Sequence, residues 1–430
     1  MSLRKLALPL LFALGSAACA GSGDTVTIAV SGDVKEASGV SMRQAAELAA
    51  SEINARGGAG GRHLEVRFLP DSGDPNVAVR IARRLVDDGS VVAVVGHVTS
   101  GITQAAMGVY GSGRNPLPVV SPTASSPDLS GVSPYFFRTC PTDLSHGPAL
   151  ARFARNTLHA SRVAILFEND DYGRGMKRAF SREFRQLGGA VVSEDPFFAT
   201  TSSLEPYLAR IQRLGGADVV VVGADPEGGT LALRDLRRLG SRVPVIGGDG
   251  LAGIEADTAL AEGTRISLSY LADRPGATNA NFVAAYARAN HGDRPNDTGA
   301  ETYDAVNLLA KAIEQVGPDR RAIRDYLAQV GNGRPAFEGV TGTVAFDSLG
   351  DVPAKAVVIG VVRAGHLELD RTRLSADSTP SAGGSSPGLR PSHCSFSSAP
   401  VPGSTRSGRC GMRCHRSWAA SRLPTRSPPR

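Results

Sequence analysis

The sequence predicts an α/β protein of two doubly wound parallel-sheet lobes, and three observations carry that prediction. Valine-rich runs such as "VVAVV" (91–95) and "VVVVG" (219–223) are continuously apolar, the pattern of strands buried on both faces. Amphipathic helical segments, several closed by glycine, stand between such runs. The alternation runs twice, once from Thr25 and again from Ser161, and 430 residues exceed what one ordinary core holds.

In the first series "TVTIAV" (25–30) is a strand, followed by a helix over about 41–56 with Met42, Ala45, Leu48, Ala49 and Ile53 on one face and Gly57-Gly58 as its stop. "LEVRFL" is the next strand. Asp74-Pro75 supplies an N-cap and a first-turn proline for a helix carrying Ala78, Ile81, Ala82 and Leu85 and ending at Gly89. The strand 91–95, the segment after Ser100 and "LPVV" (117–120) complete the series. The second series reads "RVAILF", the helix "GRGMKRAFSREFRQLGG", "AVVSE", a helix near 203–214, "DVVVVG", a helix near 228–239 and "VPVIGG". Helices follow near 278–290, 300–316 and 319–330, and "VTGTVAFDSLGDVPAKAVVIGVVRAGHLEL" reads as strands joined by turns.

The two ends differ from this body. Residues 1–20 have the form of an export signal: Arg4 and Lys5, then a nine-residue apolar run from Leu6 to Leu14, too short to span a bilayer. "GSAACA" allows cleavage before Cys19, which would then take a lipid, or after Ala20, which would release a soluble protein. The lone cysteine at this place favours the first, and Ser16 weighs against it. From about 371 to 430 the chain is rich in Ser, Pro, Gly and Arg with few large apolar residues, and reads as a disordered tail. Its composition also fits out-of-frame translation of a GC-rich gene.

Charge and cysteine exclude several classes. The formal charge is +6, but residues 373–430 carry nine Arg and one acid, so the remainder is slightly acidic and has no nucleic-acid footprint. There are five Lys against 42 Arg. Only Cys140 of five cysteines lies in the body, so the body is no disulfide scaffold.

In such sheets ligands sit beyond the carboxyl ends of the strands, at helix N-termini. The first series offers hydroxyls there, on Thr99, Ser100, Thr123 and Ser125. The second offers Asp170, Asp171, Tyr172, Asp225 and Asp249. Hydroxyls with free helix amides suit an anion, and a desolvated carboxylate suits an ammonium, so a cleft with one of each fits a zwitterion. In "VVAVVGHVTSGITQAA", Gly96 is read as the turn residue and Ser100 as the cap of a helix whose positive end faces a carboxylate. His97 is read as a structural histidine.

The segments "EINARGG", "GHVTSGITQ", "SPTASSPDL", "FFRTCPTD", "DYGRG", "GGDG", "ETYDAVNLLAKAI" and "GVTGTVAFDSLGD" resemble those of the branched-chain amino-acid and amide substrate-binding proteins of bacterial ABC transporters, over roughly Thr25 to Leu369. The resemblance implies the type I periplasmic-binding (Venus-flytrap) fold, with a three-crossover hinge near Leu144, Asp273 and Val352. That divides the chain into 24–143 plus 273–351 as lobe 1 and 144–272 plus 352–370 as lobe 2. It further implies that Thr99, Ser100, Ala124 and Ser125 hold a ligand carboxylate, that Asp249 faces the α-ammonium and that Tyr172 lines the pocket. Asp225, where aliphatic binders have an aromatic, and "DVKEAS" (33–38), which lacks one found in some relatives, point away from a leucine-like side chain toward a polar, charged or amide ligand. The expected partners are a small amino-acid-like ligand and an ABC permease, with hinge closure on the ligand, no catalysis, no cofactor and no metal.

A ligand-sensing ectodomain on the same fold is the alternative reading, and an α/β hydrolase a lesser one. The alternating body has no Gly-x-Ser-x-Gly elbow, the sequence has no Walker A lysine and no His-Glu-x-x-His, and "GGAGGR" does not match the dinucleotide pattern. Cys410-x-x-x-Cys414-His415 is one residue longer than a haem-attachment spacing.

Overall fold

The valine runs and the glycine-stopped segments form the expected strands and helices in a computed structural model that describes residues 25–372. The leader-like segment with Cys19 and nearly all of the Ser/Pro/Arg-rich segment lie outside the described residues. The chain begins with β1 (Thr25–Val30), α1 (Ala37–Ala55), β2 (His63–Phe68), α2 (Pro75–Asp87), β3 (Val91–Val95), α3 (Ser100–Tyr110), β4 (Val119–Ser121) and β5 (Phe136–Arg138). These five strands pair in the order β2-β1-β3-β4-β5, parallel throughout. α1 packs on one face with Met42, Ala46 and Ile53, and α2 and α3 on the other with Ala78, Leu85, Ile102 and Met107.

The chain continues through α4 (Asp143–Asn156), β6 (Arg162–Glu168), α5 (Asp171–Gln186), β7 (Ala190–Phe197), α6 (Glu205–Arg213), β8 (Val219–Gly223), α7 (Pro226–Arg238), β9 (Val245–Gly247), α8 (Thr258–Ala261) and β10 (Arg265–Leu268). It returns to the first sheet with α9 (Ala277–Ala289), α10 (Asp297–Val316) and α11 (Arg320–Leu327), then adds a small hairpin of β11 (Phe337–Gly339) and β12 (Gly342–Val344). Leu309, Ile313, Ile323 and Val344 complete the core under α1. Finally β13 (Val358–Arg363) and β14 (His366–Leu369) join the second sheet, ordered β14-β13-β10-β9-β8-β6-β7. α4 and α5 cover one face of that sheet through Leu150, Phe180 and Phe184; α6 and α7 cover the other through Leu208, Ile211, Leu231 and Leu236. Both lobes are therefore doubly wound.

The second sheet departs from the all-parallel expectation at one edge, where β13 runs antiparallel to β10 and β14 antiparallel to β13. An antiparallel hairpin closes an edge with a short turn, whereas a parallel strand would need another crossover helix. α4 also lacks a clear periodic signal, since Gly147 and Pro148 interrupt it. The glycine is there for contact: a Cβ at Gly147 would stand 2.6 Å from the Ala179 Cβ of α5.

Candidate functional site

The two sheets present the carboxyl ends of their strands to each other, and the residues at those ends touch. Gly96, after β3, has a φ of 142°, and a Cβ there would lie 2.5 Å from the Ser31 carbonyl oxygen. Only glycine lets the chain turn there. His97 is a structural histidine as read: it is buried, with Nδ1 2.6 Å from Asp71 Oδ2 and the Tyr110 hydroxyl 3.4 Å from its other nitrogen.

The cap of α3 differs from the expectation. Thr99, exposed, occupies the N-cap position without a side-chain bond, and Ser100 is the first helical residue. The Ser100 side chain is buried and reaches sideways, its Oγ accepting from the Ser126 N–H at 3.1 Å. A serine inside the first turn cannot bend back onto the amides that an N-cap serves. Ala124 is buried with both backbone groups engaged: its N–H donates to Ser121 Oγ at 3.1 Å and its carbonyl accepts from Arg138 at 2.8 Å.

Ser125 carries the contact between lobes. Its hydroxyl lies 3.4 Å from Asp249 Oδ1, in the short turn (Asp249–Leu251) that follows β9. Nearby, the Ser126 hydroxyl donates to the Asp171 carbonyl at 3.0 Å, and Arg178 pairs with Asp128 at the surface. Tyr172, in the first turn of α5, accepts from the Gly250 N–H at 2.9 Å, which leaves its own proton for Asp249. Burial first, then the Asp249 and Asp143 carboxylates, push the Tyr172 phenol well above its usual range.

Asp225 is brought elsewhere. It caps α7, accepting from the Gly228 N–H at 2.8 Å, and lines a separate pocket with Glu168 and Glu227. The Asp-Pro pair at the end of β8 is the same cap-and-proline signature as Asp74-Pro75, so this structural duty was readable.

Three buried groups at the site escaped sequence reasoning because nothing local in a sequence shows burial. His146 of α4 is fully buried, with Nδ1 3.1 Å from Ser267 Oγ and Nε2 3.8 Å from Asp249 Oδ2. Burial lowers its pKa, against the opposing pull of Asp249, so the ring is neutral. Asp297, at the start of α10, accepts from the Thr298 N–H at 2.9 Å; burial and then Asp249 hold its carboxyl well above the usual range. Asp143, the first residue of α4, is wholly buried, and neither carboxylate oxygen meets a donor in hydrogen-bonding geometry. The Ser125 hydroxyl beside it lies 3.4 Å from Asp249 Oδ1 and eases the Asp143 carboxyl only in part. A Cβ on Gly175 of α5 would lie 2.5 Å from Asp143 Oδ2, so this close seating needs the glycine.

The amino ends of α4, α5 and α10 surround Asp249, with the start of α3 joined to them through Ser126 and Ser125. Their positive ends offset part of the crowding of acids. The remainder shows in Asp143, whose carboxyl is raised well above its usual range by burial first and then by Asp249. A raised carboxyl in the folded chain binds protons that the unfolded chain has released. Its contribution to stability is therefore complete at acid pH and declines as pH rises through the folded-state value. Asp143→Asn is expected to flatten that decline and to raise stability at neutral pH by on the order of 1–3 kcal/mol, the scale of one shifted carboxyl's linkage to folding. Urea melts at pH 4 and pH 7 check it; equal losses at both pH values would remove Asp143 as the source.

A cleft between two doubly wound lobes, entered by helix amides from one side and a carboxylate from the other, defines a bilobed solute receptor of the type I periplasmic-binding architecture. The family model of periplasmic binding proteins matches residues 26–366, and the chain belongs to that family. It is 28% identical over 345 residues to the leucine-, isoleucine-, valine-, threonine- and alanine-binding protein of Pseudomonas aeruginosa, covering 79% of this chain and 90% of that one. It is 30% identical over 339 residues to a Leu/Ile/Val-binding protein of Rhizobium johnstonii, covering 76% and 88%. Among solved structures, the branched-chain amino-acid transporter substrate-binding protein of Streptococcus pneumoniae in complex with isoleucine superposes with a TM-score of 0.72 at 26% identity, covering 80% of this chain and 98% of that chain. The first two are named for the amino acids they bind, and the third for the branched-chain amino-acid transporter it serves.

Proposed function

We propose that the chain is an exported receptor that closes its lobes on a small α-amino acid, or a related zwitterion or amide, and delivers it to an ABC permease. The observation that carries this is the 3.4 Å approach of Ser125 to Asp249 across the lobes. It sets hydroxyls and the start of α3 against a carboxylate held by Tyr172, with the His146 ring 3.8 Å away. A ligand carboxylate would take the α3 side with Ser100, and its ammonium would take Asp249 and the Tyr172 hydroxyl. Thr99 and Ala124 shape this end, Thr99 through its exposed hydroxyl and Ala124 through its backbone position. A ligand that touches both lobes stabilises the closed form by its differential affinity, with no bond made or broken. The names of the relatives support amino-acid capture, and the leader-like first twenty residues support export, with Cys19 as the lipid-attachment point if cleavage falls before it. No helix among the described residues is long and apolar enough to cross a membrane.

A thermal-shift screen over the amino acids, simple amides and urea tests the reading. A ligand present at a thousandfold excess over its Kd adds about 4 kcal/mol to the native state, so at least one amino acid is expected to raise the melting temperature by several degrees. A flat response to every amino acid and amide would overturn it.

A further inference from the structure

We propose that Glu301 and Lys355 are positioning residues for capture: together they bind the three segments that cross between the lobes into one joint, and so keep Ser125 in register with Asp249. The inference rests on two lobes closing on a ligand, whatever the solute. Its test uses no ligand, so its failure leaves the amino-acid reading untouched.

The chain passes from the first sheet to the second between β5 and α4, returns between β10 and α9, and crosses again between β12 and β13. One polar cluster reaches all three segments. Lys355, on the third, is buried, and each proton of its ammonium is placed. It donates to the Thr139 carbonyl of the first segment at 2.7 Å, to Glu301 Oε2 at 2.6 Å and to Thr341 Oγ at 2.6 Å. Glu301, wholly buried on α10, turns its other oxygen to the second segment, where Ser269 Oγ donates to Oε1 at 2.7 Å. Thr341, in the turn between β11 and β12, passes its own proton to Asp304, which also accepts from the Val340 and Thr341 N–H groups at 2.8 and 2.9 Å. The cluster is thereby anchored on the first lobe.

Each tied segment leads to a part of the clamp. The first runs on to Asp143, whose N–H donates to the Ser125 carbonyl at 2.8 Å. The second leaves β10, which pairs with β9, and Asp249 follows β9. The third also carries Asp351, the partner of the Arg138 that holds the Ala124 and Ser126 carbonyls. Three independent segments would let the lobes twist and shear against each other, whereas segments pinned at one point leave a single hinge rotation. Stability alone does not explain the pair, because a well-packed uncharged pair of similar volume is often as stable or more so. What the ion pair adds is direction, through hydrogen bonds to fixed atoms on three separate stretches of chain.

Hydrogen exchange on the unliganded full chain, read by mass spectrometry, tests the joint. Glu301→Gln combined with Lys355→Met removes both charges at nearly constant volume. Exchange over 139–142, 269–271 and 351–356 is then expected to rise together by about tenfold relative to the Val94 amide, which is bound to the Pro118 carbonyl inside the first sheet. The loop 123–126 should rise with them. Ser269→Ala cuts one tie and should loosen 269–271 without loosening 351–356. Cys140, buried next to Thr139, is a second reporter: N-ethylmaleimide should label it faster in the double variant than in the parent. A pair that served stability alone would move Val94 and the crossing segments by the same factor, or would loosen only the residues around Lys355. Either result would overturn the inference, and so would parental exchange in 123–126. If the double variant does not fold, Ser269→Ala decides alone, and parental exchange over 269–271 removes the joint.

Discussion

Replacing Asp249 with alanine is expected to weaken amino-acid binding by about 2–5 kcal/mol, the loss measured when one partner of a buried, hydrogen-bonded charge pair is truncated. That corresponds to a fall of about thirtyfold to several thousandfold in affinity. The carboxylate is only 7% exposed and is approached by Ser125 at 3.4 Å and His146 at 3.8 Å, so water cannot take its place cheaply. The effect on stability should be of opposite sign. Asp249 raises the carboxyls of both Asp143 and Asp297, and removing it relieves two like-charge contacts. The unliganded variant is therefore expected to melt no lower than the parent while binding almost nothing. Calorimetry with the best amino acid, paired with a melt of the free protein, separates this from a folding defect. Parental affinity in the variant would remove Asp249 from the ammonium site.

Replacing Arg138 with alanine is expected to cost about 3–5 kcal/mol of stability, the usual penalty for breaking a buried ion pair from one side. This side chain is fully buried at the end of β5. Its Nε donates to Asp351 at 2.6 Å, one terminal nitrogen donates to the Ala124 and Ser126 carbonyls at 2.8 Å each, and the other to Ser130 Oγ at 2.6 Å. The guanidinium thus fixes the loop that presents Ser125 to Asp249, and its loss leaves the Asp351 carboxylate without its counter-charge, with the Ser130 hydroxyl as its side-chain donor. Lysine should not rescue it, because a single ammonium cannot serve four acceptors in a plane. Urea unfolding measures the loss. A change below about 1 kcal/mol, the scale of a surface pair, would mean that the loop is held by its serines alone.

Neither residue stands out equally in the sequence. Asp249 was legible because "GGDG" ends a strand where an α/β sheet collects its ligands, and Ser125 and Tyr172 likewise lie at strand ends that the structure brings together. Arg138, Asp143 and His146 were not, since an arginine after two phenylalanines or an aspartate before a helix is usually at the surface. The same limit applies to the fold. The continuous valine runs of β3 and β8 announce themselves, whereas β5, at three residues, is too short to show a period. The antiparallel edge of β13 and β14 was visible as strands and turns, but direction is set by which neighbour a strand finds, a long-range property.

Lys355 is sealed inside, its ammonium donating to Glu301 at 2.6 Å and to the Thr139 carbonyl at 2.7 Å, and this has a practical side. With so few primary amines in the chain, an amine-reactive fluorophore finds only Lys35 and Lys311 exposed among the described residues, while Lys177 is half covered against Glu194. Lys35 stands beside Glu36 on the loop between β1 and α1, where the Glu36 carboxyl feels Glu227 and Asp225 of the other sheet's strand ends. With Lys311→Arg to leave Lys35 as the exposed amine among the described residues, a dye there should change its emission as the lobes close on a ligand, an optical reporter of capture.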